Sequence, residues 1–149
     1  MSSAEIEWQD CRAQIDDSVV AEVESLLYCD FPDDFRAIIK KCHGGIPVPN
    51  RFVYHDAVLQ MVESSIEQLL SFNLEDADNI VRSYYDLSTQ LPDDLIPFAC
   101  DAGGDYICFD YRSDSSEYPV VVYWSHESEP DASIFYLADS FSEFLGMLK

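Results

Sequence analysis

Apolar residues recur at helical spacing early in the chain and at strand spacing in its second half. In "DDSVVAEVESLLYC", Val19, Val20, Val23, Leu26 and Leu27 share one helical face, with Glu22, Glu24 and Ser25 elsewhere around it. Asp16, Asp17 and Ser18 are candidate caps. After the turn "CDF", the stretch "PDDFRAIIKKCHGG" predicts a second helix. Pro32 suits its first turn, where a missing N–H costs little. Asp33 and Asp34 complement the positive end of the helix dipole, and Lys40 and Lys41 the negative end. Phe35, Ile38, Ile39 and Cys42 make its buried stripe, and Gly44-Gly45 supplies a left-handed stop.

The middle of the chain is less regular. "VPNRFVYHDAVLQ" reads as extended, "SIEQLLSF" as either a strand or a helical turn, and "EDADNIVRSYYDLSTQ" as a third helix ended by Leu91-Pro92-Asp93-Asp94. From Leu95 the period becomes two. "LIPFAC" and "YICFDY" bracket "DAGGD", which predicts a hairpin with a glycine turn. "YPVVVYW" reads as a central strand and "SIFYLA" as another. "DSFSEFLGMLK" is a closing helix with a capping box from Ser140 to Glu143. Hairpin-linked strands with helices grouped outside them indicate an α+β fold, with a mainly antiparallel sheet and helices packed around it. The length of 149 residues fits a single domain, 1–149.

Charge alters this ordinary picture. There are 29 Asp and Glu against 8 Lys and Arg, for a net charge of −21. Such a field repels nucleic acid and anionic lipid and speeds encounter with basic partners. No apolar run is long enough to span a membrane, and the N-terminus lacks signal-peptide character, so a cytoplasmic protein is expected. Five cysteines with no CxxC then read as reduced thiols, with a Cys100–Cys108 bridge across the hairpin as the alternative.

The candidate chemistry is thin. Ser125, His126 and Glu127 are adjacent, and neighbours on an extended chain face opposite ways, so they cannot form a triad among themselves. His and Cys are scattered singly, which disfavours zinc. In "DAGGDYICFD", apolar residues stand where a calcium loop needs oxygens. There is no P-loop and no GxGxxG. The glycines of "DAGGD" are explained by backbone geometry, with Asp101 capping the turn.

Three blocks carry a family resemblance. The first is "EVESLLYCDFPDDFRAIIKKCHGGIP", with Glu24, Pro32, Phe35, Gly44 and Gly45 at the matching positions. The second is "LIPFACDAGGDYICFDY", with Pro97, Phe98, Asp101, Gly103, Gly104, Asp105, Ile107 and Asp110. The third runs from "PVVVYWSHE" to "LADSFSEFLGML", including Asp139, Ser140 and Phe141. In this order the chain resembles the SUKH superfamily of Smi/Knr-type domains. His43 departs from the asparagine that is frequent there, and Arg51 to Leu91 matches loosely.

The resemblance implies an immunity protein that neutralises a cognate toxin, without a cofactor, a metal or catalysis of its own. Acidity points to a basic toxin, with a nuclease as one such enzyme, and to no direct contact with nucleic acid or membrane. A regulatory adaptor is the alternative, and a monomer or weak homodimer is expected. Exposed acids beside aromatics near the hairpin are the candidate contact residues: Asp105, Tyr106, Asp110, Tyr111, Asp114 and Glu117.

Overall fold

The computed structural model describes residues 6–56, 60–112, 118–126 and 134–149. Within these residues the chain forms β1 (Glu7–Gln9), α1 (Asp17–Leu27), α2 (Asp33–Lys41), β2 (Ile46–Val48), β3 (Arg51–Asp56) and β4 (Gln60–Leu69). There follow α3 (Ile80–Asp86), β5 (Leu95–Asp101), β6 (Tyr106–Asp110), β7 (Val120–Trp124), β8 (Ile134–Ala138) and α4 (Phe141–Gly146). Strands β3 to β8 make one antiparallel sheet in sequence order, and β1 pairs with β2 in a second, small one. The architecture is the α+β one expected. Tyr54 of β3 meets Phe135 of β8 with ring centroids 4.9 Å apart, so the sheet curls until its edges touch.

The helices form where the periodicity places them, and the caps explain their ends. Asp16 accepts from the backbone N–H groups of Ser18 and Val19 to start α1. Ser140 accepts from Glu143 N–H to start α4, and the Glu143 carboxylate accepts from Asp139 N–H. Pro32 sits at the N-cap of α2 with φ −60°. From α2, Phe35 enters the centre of the core, with ring centroids 5.0 Å from Phe109, 5.1 Å from Phe31 and Phe141, and 5.5 Å from Phe98. Aromatic contacts of this kind add about 0.5–1.5 kcal/mol each beyond area burial. Phe35 therefore joins α2, α4, β5 and β6 into one packed unit.

Several expectations change. The segment 60–69 is a strand, which settles the ambiguous stretch "SIEQLLSF". β7 is an interior strand, as expected, paired with β6 on one side and β8 on the other. Cys100 and Cys108 do not face each other. A register shift between Pro97 and Ala99 pairs Cys108 with Pro97 and Cys100 with Tyr106, and both thiols are free. The largest correction is a disulfide between Cys11 and Cys42, which overturns the reading of five reduced thiols. Their contact depends on β1 pairing with β2, a pairing between short segments that periodicity does not show.

That N-terminal strap is held at several points. Arg12 donates to Asp76 at 2.8 Å and to both oxygens of Asp78 at 2.9 Å. His43, buried, accepts from Phe72 N–H through Nδ1 at 2.9 Å, and its Nε2–H donates to the Ala13 carbonyl at 2.9 Å. Accepting at Nδ1 requires the neutral ring, and burial lowers its pKa. Gly44 adopts φ +70°, whereas Gly45 is needed for space: a Cβ there would fall 2.3 Å from Cys42 Sγ and 3.0 Å from the Gln9 carbonyl oxygen. Gly45→Ala is expected to cost about 1–3 kcal/mol through overpacking, measured by urea denaturation. The unfolded state binds a proton at His43 below about pH 6.5 and the native state resists it, so stability falls as pH drops through that value. In His43→Asn this part of the pH dependence of the unfolding free energy should disappear.

Candidate functional site

A tight corner joins α1 to α2. No basic residue lies in the last turn of α1, and Tyr28 ends it in the left-handed conformation, φ 55° and ψ 44°. Oε2 of Glu24 then accepts from Phe31 N–H at 2.7 Å and from Arg36 Nη2 at 2.7 Å and Nε at 3.1 Å. Arg36 also donates to Asp33 at 3.0 Å. One carboxylate thus fixes the turn, sends Phe31 into the core and leaves Tyr28 and Asp30 outside.

Between this corner, α3 and the ends of β5, β6 and β7 opens a groove of about 1030 Å³. Five tyrosines and five aspartates line it, beside Arg36 and several apolar residues. Tyr85 donates its hydroxyl to the Leu26 carbonyl at 2.8 Å, Tyr111 to that of Asp30 at 2.8 Å, and Tyr84 to that of Asp93 at 3.0 Å. The first two bonds tie α3 and the end of β6 to the corner across 59 and 81 positions, and the third holds the loop that follows α3. Burial pushes the Tyr111 hydroxyl pKa up, and it raises the Cys29 thiol beside it to about 12, so that thiol stays protonated.

Asp30, Asp33, Asp93, Asp94 and Asp110 contribute carboxylates to the lining. At Asp110 burial opposes the charge, but hydrogen bonds from Arg112 at 2.8 and 2.9 Å outweigh it and hold the pKa below the usual range. Asp30 is 97% exposed along its side chain, and Tyr28 is 90% exposed.

Of the contact residues expected from sequence, Asp110 and Tyr111 line the groove. Asp114 and Glu117 lie outside the described residues. Asp105 and Tyr106 sit at the opposite end of the hairpin. Asp105 is buried and takes the backbone N–H of His126 at 2.9 Å, with the His126 ring on the same oxygen. Tyr106 packs near Trp124, with centroids 6.4 Å apart. Asp101 caps its turn as expected, accepting from Gly103 and Asp105 N–H at 2.9 and 2.8 Å. Its other oxygen accepts from Ser64 at 2.9 Å and Tyr123 at 2.5 Å. Both oxygens of Asp101 therefore serve the fold, and Gly104 supplies the positive φ, +90°.

Tyr28, Asp30, Tyr85, Asp93 and Asp94 were not foreseen as neighbours. They come from two distant stretches, and nothing in their local spacing joins them.

Residues 14–147 match the SMI1 / KNR4 family (SUKH-1). The chain belongs to that family. Among curated proteins it is similar to the SPbeta prophage-derived uncharacterized protein YokK of Bacillus subtilis (strain 168), 25% identical over 139 residues, which covers 83% of this chain and 69% of that protein. Membership of SUKH-1 supports a general toxin-immunity or adaptor role, and proteins of this family are typically non-catalytic. Among the described residues no group of His, Cys, Asp and Glu is placed to hold a metal ion, and no helix is long and apolar enough to cross a membrane.

The residues on which the resemblance was read have physical roles in the structure. Glu24 locks the corner and Pro32 opens α2. Gly44 and Gly45 accommodate the strap, and Gly103 and Gly104 shape the β5–β6 turn. Asp139 accepts from the Tyr136 hydroxyl, Ser140 caps α4, and Phe141 packs on Phe35.

Tyr28 has no such role, since its ring faces solvent in a conformation that favours glycine. Tyr28→Gly is expected to leave thermal and urea stability unchanged or to raise it by up to about 1 kcal/mol. A clear loss of stability would show that the ring supports the fold.

Proposed function

We propose that this SUKH-1 chain is an immunity protein that binds a cognate basic toxin and blocks it by occupying surface, and that it acts as a single domain. The observation that carries the reading is a net charge of −21 combined with a groove walled by carboxylates and tyrosines. Tyrosine supplies rigid contact area at low entropic cost, and surplus carboxylates steer a positively charged partner. A nucleic-acid-cleaving toxin suits this chemistry, because its substrate groove is itself positively charged.

The test is co-expression with a toxin domain encoded beside the gene. The protein should restore growth, and the purified pair should associate at least about tenfold more slowly at high salt than at low salt, because screening removes the steering. Failure to rescue growth argues against immunity, and a salt-independent association rate against a basic partner.

A further inference from the structure

We propose that the groove at the α1–α2 corner recognises arginine side chains of a basic protein segment, with Tyr28 as the stacking surface and Asp30, Asp93 and Asp94 as carboxylate partners. The proposal rests on the reading of the protein as a binder of a basic partner and names the chemistry of that contact.

The structure already shows how this place handles a guanidinium. Arg36 lies in the groove lining, with Nε and Nη2 on Glu24 and Nη1 on Asp33. Its capacity is used there. The Asp30 carboxylate stands 4.0 Å from Arg36 Nη2 and remains 97% exposed. Asp93 and Asp94 form no ion pair among the described residues, although both line the same groove.

Three further features favour a cation with a flat face. α1 ends at this corner with no basic residue of its own in the last turn, so cationic groups from elsewhere in the chain or from a partner suit the negative end of its dipole, as Arg36 does. Tyr28, 90% exposed, borders both the main groove and a second hollow of about 560 Å³ lined also by Glu24, Ser25 and Asp30. Tyr85, 49% exposed, presents another ring, with its hydroxyl already fixed on Leu26. A planar guanidinium stacks on such rings and forks onto carboxylates at once, which the compact, strongly hydrated lysine ammonium does less well. The field of a −21 chain attracts both cations equally, so preference between them reports the local geometry and not the net charge.

The experiment uses two fluorescent synthetic peptides of equal length and charge, one with arginine and one with lysine at every basic position. Binding to the whole chain is followed by anisotropy at moderate salt. Wild type should prefer the arginine peptide by about fivefold or more. Tyr28→Gly, which suits the local backbone, should bring the ratio close to one. Asp30→Asn combined with Asp93→Asn should weaken the arginine peptide more than the lysine peptide. Equal affinities in wild type, or a preference untouched by Tyr28→Gly, would overturn the proposal. The peptide ratio does not depend on any toxin, so a failure of growth rescue counts against the inhibitor reading and not against arginine recognition.

Discussion

A single carboxylate oxygen, Oε2 of Glu24, holds the part of the molecule on which the groove depends. It accepts from the backbone of Phe31 and from two nitrogens of Arg36 at 2.7 to 3.1 Å. Bonds to charged groups are worth about 1.5–3 kcal/mol each, and removing the acceptor strands its partners. The turn it closes places Phe31 and Phe35 inside, where their rings lie 5.1 Å apart, and turns Tyr28 and Asp30 outward. Fold and surface are thus set by the same contact. A glutamate at this place serves the protein's architecture first and its groove as a consequence.

The surplus of acid gains its local meaning from how the cations are used. All five arginines are engaged in ion pairs: Arg12 with Asp76 and Asp78, Arg36 with Glu24 and Asp33, Arg51 with Glu63, Arg82 with Asp86 and Arg112 with Asp110. Most of these pairs are half-exposed, and such pairs contribute little to stability individually. Their effect is to tie specific elements together. With 29 acids against 8 bases the chain as a whole is strongly negative, and the groove adds tyrosine rings to that charge.

Much of the fold was legible because its signals are local. Helical spacing marks α1, α2 and α4, and the period-two runs around "DAGGD" mark β5 and β6. Asp16, Ser140 and Asp101 announce their capping roles by residue type. Most residues that carried the resemblance were legible for the same reason, since they shape turns or helix ends. What stayed hidden is non-local. β1 and β2 are too short for a period, so the Cys11–Cys42 bridge between their ends has no signature at a separation of 31 residues. The groove is hidden in the same way: Tyr85 meets Leu26 across 59 positions and Tyr111 meets Asp30 across 81. Asp110 and Tyr111 were named because the hairpin was visible, whereas Asp105, at the other end of that hairpin, proved to be a buried acceptor.

The proposed recognition uses one surface: the corner that Glu24 locks and the α3 side that faces it. Hydrogen–deuterium exchange on the protein alone and in complex with its toxin tests this most directly. The account predicts added protection concentrated in residues 26–36 and 84–94, with β3 and β8 unchanged. Protection confined to β3, β4 and β8, with the 26–36 segment exchanging as in the free protein, would contradict it.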